Sequence, residues 1–120
     1  MQYMILIYGN ENEFAQLAED AAKQKMYAAF DRYTSDLKAA GVVRASGELK
    51  PTATATTVRM RSGKLTTTDG PFAETKEQLG GYYIIDVPNL DEAITWASRC
   101  PLAQTGSIEV RPLGLMPDLG

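Results

Sequence analysis

The chain has 120 residues, enough to bury the core of one domain but too few for two ordinary domains. Its 44% hydrophobic and 22% charged residues match an ordinary globular composition and exclude the disordered and fibrous classes. A net charge of −3 argues against a nucleic-acid partner, and the absence of histidine removes the commonest general base and the commonest metal ligand.

The N-terminal segment predicts a strand that is buried on both faces. A signal peptide needs a basic start and a longer apolar core, and a membrane span needs about 20 apolar residues, so this segment matches neither. We therefore expect no membrane partner. The single cysteine, Cys100, favours a reducing compartment, so we expect a cytoplasmic protein. Its side chains alternate, with Tyr3, Ile5 and Ile7 on one face and Met4, Leu6 and Tyr8 on the other.

Polar residues at 10–20 precede a long amphipathic helix, which we place at about residues 19–40. Gly41 follows at the position where a left-handed C-terminal cap is expected. Apolar side chains recur at spacings of three and four residues and define one buried stripe: Met26, Ala29, Phe30, Tyr33, Leu37 and Ala40.

The middle of the chain predicts extended segments joined by turns. A Ser-Gly pair supplies a two-residue hairpin turn between β-branched runs, and a Gly-Pro pair breaks the second strand. In chain order we expect an extended segment at 42–50, strands at 54–60 and 64–68 around Ser62–Gly63, a break at Gly70–Pro71, and a charged loop or one helical turn at 73–78.

The last third predicts a second strand with two apolar faces, then a short helix and a final strand. Asn89 with Glu92 forms a capping box at the start of the helix, and Pro101 ends it. The strand spans 79–87, the helix buries Leu90, Ala93, Ile94 and Ala97, and the final strand at 107–113 points Ile108 and Val110 inward and Glu109 and Arg111 outward.

This order of elements predicts an α+β fold in a single domain over residues 1–120. Two right-handed strand–helix–strand halves give a ferredoxin-like antiparallel sheet with both helices on one face. The two central strands are nevertheless apolar on both faces, and monomers rarely expose such a large apolar patch. A second copy that packs sheet against sheet would cover it, so we expect a homodimer that encloses a cavity.

Residues 68–84 read TDGPFAETKEQLGGYYI and resemble the signature of the DGPF proteins, a branch of the YciI-related family. The flanking segments YMILIY at 3–8, GEL at 47–49 and GSIEVRP at 106–112 agree, so the resemblance covers nearly the whole chain. The resemblance implies a dimeric α+β barrel. It implies no settled activity, although some members are encoded near, or fused to, extracytoplasmic-function sigma factors.

Wider YciI relatives are associated with a His–Asp pair at the cleft. This chain offers Asp69 as the acid partner but contains no histidine, which separates it from that chemistry. Serine–histidine and cysteine–histidine catalysis are excluded for the same reason. We expect no cofactor and no metal, since no group of carboxylates has a recognisable metal-loop spacing.

The turn that contains Asp69 and Phe72 is the leading candidate for function, with Asp69 as the catalytic residue if the protein is an enzyme. In the functional interpretation, a rigid turn at a strand end holds a carboxylate and an aromatic ring at the cavity mouth. In the structural interpretation, Asp69 caps the following backbone, Pro71 fixes φ and Phe72 plugs the core. Sequence alone leaves both open.

The remaining candidates for ligand binding are charged or aromatic side chains spread over the chain. Glu74 belongs either to a solvated loop or to a carboxylate pair with Asp69 in the cavity, where the two pKa values would separate. Arg111 suits a bidentate grip on a ligand carboxylate, but a structural ion pair with Glu109 or Glu48 is the favoured interpretation. The aromatic candidates are Tyr8 and Tyr82, and Cys100 is expected to be a buried, unreactive thiol.

Three classes of function fit these residues. The first is a homodimer that binds a small molecule without catalysis. The second is a cofactor-free isomerase or lyase in which Asp69 is the acid–base group. The third is a regulatory interaction module, suggested only by the sigma-factor neighbourhood of the family that the chain resembles.

Overall fold

The computed structural model describes residues 1–15 and 20–114 of the chain. Six strands and three helices follow one another along these residues, with short 3-10 turns at Thr52–Thr54 and Pro101–Ala103. The elements are β1 (Gln2–Gly9), α1 (Glu11–Ala15), α2 (Asp20–Ala39), β2 (Val43–Glu48), β3 (Thr56–Arg61), β4 (Lys64–Asp69), β5 (Gln78–Asp86), α3 (Leu90–Ser98) and β6 (Ser107–Pro112).

The main sheet has four antiparallel strands in the order β2-β5-β1-β6. The two strands with apolar residues on both faces, β1 and β5, are therefore its centre. Each strand–helix–strand unit skips one strand position, which is the ferredoxin-like arrangement. The predicted fold class is confirmed.

One face of the sheet carries the hydrophobic core. Ile5, Leu37 and Ile85 are fully buried where β1, α2 and β5 meet. Ala93 and Ala97 bring α3 onto the same core, so both long helices cover one face, as predicted. Burying side chains of this size contributes about 1.5–3 kcal/mol each, which makes this face the main source of stability.

Helix α2 begins at Asp20 and ends at Ala39, against a prediction of 19–40; residue 19 lies outside the described residues. Gly41 adopts a φ of 72°, and its N–H donates to the carbonyl of Lys38 while the N–H of Val42 donates to the carbonyl of Leu37. These two bonds form the Schellman motif that the sequence indicated. Ala40 lies beyond the helix and is exposed, so its place in the buried stripe was wrong.

Helix α3 is capped as predicted, because the Asn89 side chain accepts a hydrogen bond of 3.0 Å from the N–H of Glu92. Only the alanines of the predicted stripe are buried. Leu90 and Ile94 are 48% and 50% exposed, since the helix crosses the sheet near its β6 edge and presents a narrow face to the core.

A short helix, α1, was not predicted in the polar segment after β1. Asn10 caps it, with its side chain accepting from the N–H groups of Asn12 and Glu13 at 3.0 and 3.1 Å. Five residues are too few to display a helical stripe, so the capping residue was the only available signal.

The second face of the main sheet, which we call the open face, is covered by no helix among the described residues. Met4, Leu6 and Ile84 lie on it and remain half-buried, whereas their neighbours Ile5 and Ile85 on the helical face are fully buried. The alternation predicted for β1 and β5 is therefore confirmed, and the open face is left without a cover from its own described chain.

Strands β3 and β4 form a separate two-stranded hairpin. Ser62 and Gly63 have φ values of 52° and 75°, as a two-residue turn with positive φ at both positions requires. All hairpin side chains except the half-buried Thr57 are exposed. Among the described residues, no helix is long and apolar enough to cross a membrane.

Candidate functional site

A hydrogen-bonded group on the open face, Tyr8, Glu109 and Arg111, forms what we call the open-face cluster. The β1–β6 register pairs Leu6 with Glu109 and so places all three side chains on this face. The Tyr8 hydroxyl donates to Glu109 Oε1 over 3.4 Å, and Arg111 Nη2 donates to Glu109 Oε2 over 2.5 Å. The favoured interpretation, a structural ion pair of Arg111 with Glu109 or Glu48, is confirmed, and the partner is Glu109.

The electrostatics of the cluster keep Arg111 charged. The hydrogen bond to Glu109, and then the charge of that carboxylate, raise the pKa of the Arg111 guanidinium. The side chains of Arg111 and Glu109 are 68% and 39% exposed, so solvent screens their ion pair and it adds little to stability. The remaining guanidinium N–H groups donate to no other described residue, which leaves them for a molecule on the open face.

Tyr82 supplies an aromatic surface on the same open face, toward the β2 edge. It pairs with Leu6 of β1 and with Gly47 of β2, and its ring lies directly over Gly47. A Cβ atom at Gly47 would come within 2.8 Å of Tyr82 Cε1, so the glycine is what allows the ring to lie flat on the sheet.

The turn that contains Asp69 and Phe72 extends from the base of the hairpin into solvent. Gly70 has a φ of 98°, and its N–H donates to the carbonyl of Ala55 over 2.7 Å. Asp69 is exposed and Phe72 is 79% exposed. Phe72 therefore does not plug the core of its own chain, and that part of the structural interpretation was wrong.

The segment after this turn is attached to the sheet next to Tyr8. Ser107, which pairs with Tyr8, donates from its hydroxyl to Glu77 Oε1 over 2.6 Å, and Gln78 Oε1 accepts from the N–H of Glu11 over 3.0 Å. Glu74 is exposed in this loop. Among the described residues, no hydrogen bond or ion pair links Asp69 to Glu74 or to the open-face cluster.

Glu48 lies on the opposite side of the sheet from the open-face cluster. It accepts a hydrogen bond of 3.4 Å from the hydroxyl of Tyr27 on α2. The charge of Glu48 is the main cause that raises the pKa of Tyr27. The Tyr27 ring also packs edge-to-face on Phe14, so the structure places Glu48 in a contact between β2 and α2.

One polar contact was missed by sequence reasoning. The Glu11 carboxylate accepts from both the N–H and the hydroxyl of Thr52 and so ties α1 to the segment before the hairpin. Its signal in the sequence was weak, because the two residues are 41 positions apart.

Two polar groups on the helical face, the Tyr33 hydroxyl and the Cys100 thiol, are part of the core packing. The Tyr33 hydroxyl donates to the carbonyl of Trp96 over 2.8 Å, and its ring packs edge-to-face on Tyr83. Burial raises the pKa of the Tyr33 phenol and of the Cys100 thiol. The thiol is therefore protonated at neutral pH, in agreement with the predicted unreactive cysteine.

An open cleft of about 590 Å³ lies between α2 and the segment after α3. Lys25, Arg32 and Arg99 line it, with Arg99 paired to Asp36 over 2.9 Å. None of the site residues predicted from the sequence lines this cleft. Within the residues that the structure describes, no three histidine, cysteine or acidic side chains are placed to hold a metal ion.

The comparisons with known proteins identify the family. The sequence model of the YCII-related domain matches residues 1–116. The chain belongs to the YCII-related family. It is also 39% identical to the uncharacterised protein R00369 of Rhizobium meliloti (strain 1021), over 96% of this chain and 94% of that protein.

A solved structure shares the fold. It is the 5-chloro-2-hydroxyhydroquinone dehydrochlorinase TftG of Burkholderia phenoliruptrix AC1100, in complex with 2,5-dihydroxybenzoquinone. The TM-score is 0.51 with 16% sequence identity, over 95% of this chain and 94% of that chain. At this identity the likeness concerns the fold alone.

Proposed function

We propose that this protein is a homodimer that binds a small molecule between the open faces of its two subunits. The observation that carries the proposal is the open face itself, where Met4, Leu6 and Ile84 share one surface with a hydrogen-bonded polar cluster. Apolar walls with a few convergent polar groups are typical of ligand pockets, and a second sheet would exclude water from them.

The ligand that suits this surface is a small planar ring with hydroxyl, carbonyl or carboxylate groups. Arg111 offers a charged donor, Tyr8 a hydroxyl that both donates and accepts, and Tyr82 an aromatic face. The fold neighbour TftG, whose structure holds 2,5-dihydroxybenzoquinone, supports this class of ligand.

A charge placed at the centre of the open face tests the dimer. Leu6→Arg puts a guanidinium against the apolar surface of the other subunit, and we expect the dimer to dissociate at least a hundredfold more readily. Ser35→Arg, on the exposed surface of α2, is the matched control. Light scattering gives both masses, and a Leu6→Arg variant that associates like the control contradicts the dimer interface.

Binding of hydroxylated quinones and benzoates tests the ligand class. Titration calorimetry with 2,5-dihydroxybenzoquinone and 2,5-dihydroxybenzoate is expected to show binding that weakens about tenfold in Arg111→Met, as the loss of a charge-assisted hydrogen bond predicts. Arg32→Met on α2 removes an equal charge away from the open face and should have no effect. No binding of either compound, or equal affinities in the two variants, contradicts this ligand class.

A cofactor-free enzyme is the second candidate, favoured by the dehydrochlorinase activity of the fold neighbour. In that case Asp69 would be the acid–base group. Chloride release from a chlorinated hydroxyhydroquinone measures turnover, and Asp69→Asn should abolish it while the fold is retained. Unchanged turnover in Asp69→Asn removes the catalytic role, and a lower Tm with no other effect supports a structural turn.

A further inference from the structure

The β3–β4 hairpin has one apolar face and one basic face. The register pairs Met60 with Leu65 and Thr56 with Asp69, so Val58, Met60, Leu65 and Asp69 lie on a single face. The three apolar side chains are 60%, 58% and 65% exposed. The other face carries the cations Arg59, Arg61 and Lys64.

An isolated two-stranded sheet with an exposed apolar face is marginal in water. Nothing in the described part of this chain covers Val58, Met60 or Leu65. The radius of gyration is 16.5 Å, against roughly 14 Å for a compact chain of this length, because the hairpin extends away from the main sheet. A cover for this apolar face must therefore come from outside the described residues, and a second copy of the chain is the source that we argue for below.

We propose that the hairpin of each subunit packs its apolar face along the β6 rim of the open face of a second copy, and carries Asp69 and Phe72 to that copy's open-face cluster. This inference rests on the dimer proposed above. It adds that the binding site is completed in trans, since no hydrogen bond or ion pair among the described residues links Asp69 to the open-face cluster of its own subunit.

The geometry of a two-fold dimer favours this placement. The edges of the main sheet are β2, which precedes the hairpin, and β6, which carries Glu109 and Arg111. A two-fold axis parallel to the strands, between stacked sheets, places β2 of one copy opposite β6 of the other. The hairpin strands and β6 each have six residues and span about 20 Å, so the hairpin is long enough to follow the β6 rim.

The charges select the same arrangement. Asp69 is on the apolar face of the hairpin, and Arg111 is an exposed cation at the β6 edge of the open face. Packing the apolar face down brings this carboxylate toward the guanidinium and leaves Arg59, Arg61 and Lys64 in water. The alternative axis, perpendicular to the strands, would place β2 against β2 and bring the two cationic hairpins together.

Cross-linking between two differently substituted chains tests the proposal. A Leu65→Cys chain is mixed with an Arg111→Cys chain, and a short bis-maleimide is added; the native thiol of Cys100 is buried and shielded. A Met60→Cys chain provides a second probe on the same face. Thr66→Cys, one residue away on the basic face, is the matched control.

We expect a Leu65–Arg111 cross-link between chains, identified by peptide mass spectrometry, at a yield at least tenfold above that of the Thr66 control. Met60→Cys should behave like Leu65→Cys. A stable dimer with Leu65–Leu65 links only, or with equal yields from Leu65 and Thr66, overturns the hairpin placement and leaves the dimer intact. A monomer in light scattering overturns both proposals.

Discussion

The two faces of the main sheet are built from alternate residues of the same strands, yet they differ in burial and in chemistry. On the helical face, Ile5 and Ile85 are fully buried in a core without buried charges. On the open face, Leu6 and Ile84 are half-buried beside a tyrosine, a glutamate and an arginine. The helical face stabilises the subunit, and the dimer and ligand site that we propose lie on the other face.

The largest expected effect separates two neighbouring isoleucines. Ile85→Ala leaves a cavity in the core and should lower the free energy of unfolding by about 2–5 kcal/mol. Ile84→Ala, made like Ile85→Ala in the Leu6→Arg background, should cost less than about 1.5 kcal/mol because its side chain is already partly in water. Urea unfolding measures both, and equal losses would show that the two faces do not differ.

A second pair compares tyrosines on the two faces. Tyr33→Phe removes the hydrogen bond to the buried carbonyl of Trp96 and should cost about 1–2 kcal/mol, whereas Tyr8→Phe should cost less than about 0.5 kcal/mol. Thermal unfolding of the two variants under matched conditions tests this difference.

The same tyrosine predicts an alkaline limit to stability. Burial raises the pKa of Tyr33 in the folded state above its ordinary value of 10.0, so the phenol ionises first in the unfolded chain. The free energy of unfolding should therefore fall as the pH rises above 10, and less steeply in Tyr33→Phe. An identical slope in the variant would assign the alkaline loss to other groups.

A smaller effect on stability is expected at Gly47. The Cβ of Gly47→Ala displaces the Tyr82 ring, which can rotate away, so the cost should stay below about 1 kcal/mol. Binding of 2,5-dihydroxybenzoquinone should nevertheless weaken severalfold, because the flat aromatic surface is lost. Unchanged affinity in calorimetry would remove Tyr82 from the site.

The smallest effect concerns acid stability at the end of β5. The hydrogen bond from the N-terminal amine, with the charges of that amine and of Arg44, lowers the pKa of Asp86 below 3.8. Its stabilising contribution is therefore complete above pH 3.8 and is lost as the pH falls through the lower, folded-state pKa. Asp86→Asn should flatten this acid limb slightly, and pH-dependent thermal unfolding provides the test.

The sequence was sufficient to predict the sheet and its two faces, because the period-two pattern of β1 and β5 is apolar on both sides. It also predicted a structural ion pair for Arg111 with Glu109 or Glu48, and Glu109 was a candidate that needed no knowledge of pairing, since residues two apart on a strand share a face. Local signals of this kind do not depend on how distant segments pair.

The composition of the site depended on distant pairing and could not be predicted in the same way. Tyr8 joins Glu109 only through the β1–β6 register, across 101 residues. Glu48 was placed away from the cluster by a register shift between Val43 and Ala45, and such a shift moves side chains to the other face. Leu90 and Ile94 belong to the apolar stripe predicted for α3, but of that stripe only Ala93 and Ala97 are buried in the core.

Sedimentation equilibrium of the unaltered chain tests the central claim most directly. If a second copy covers the open face, the mass should be twice 13.1 kDa at micromolar concentration, and Leu6→Arg should return it to 13.1 kDa. A mass of 13.1 kDa for the unaltered chain throughout the micromolar range would contradict the claim.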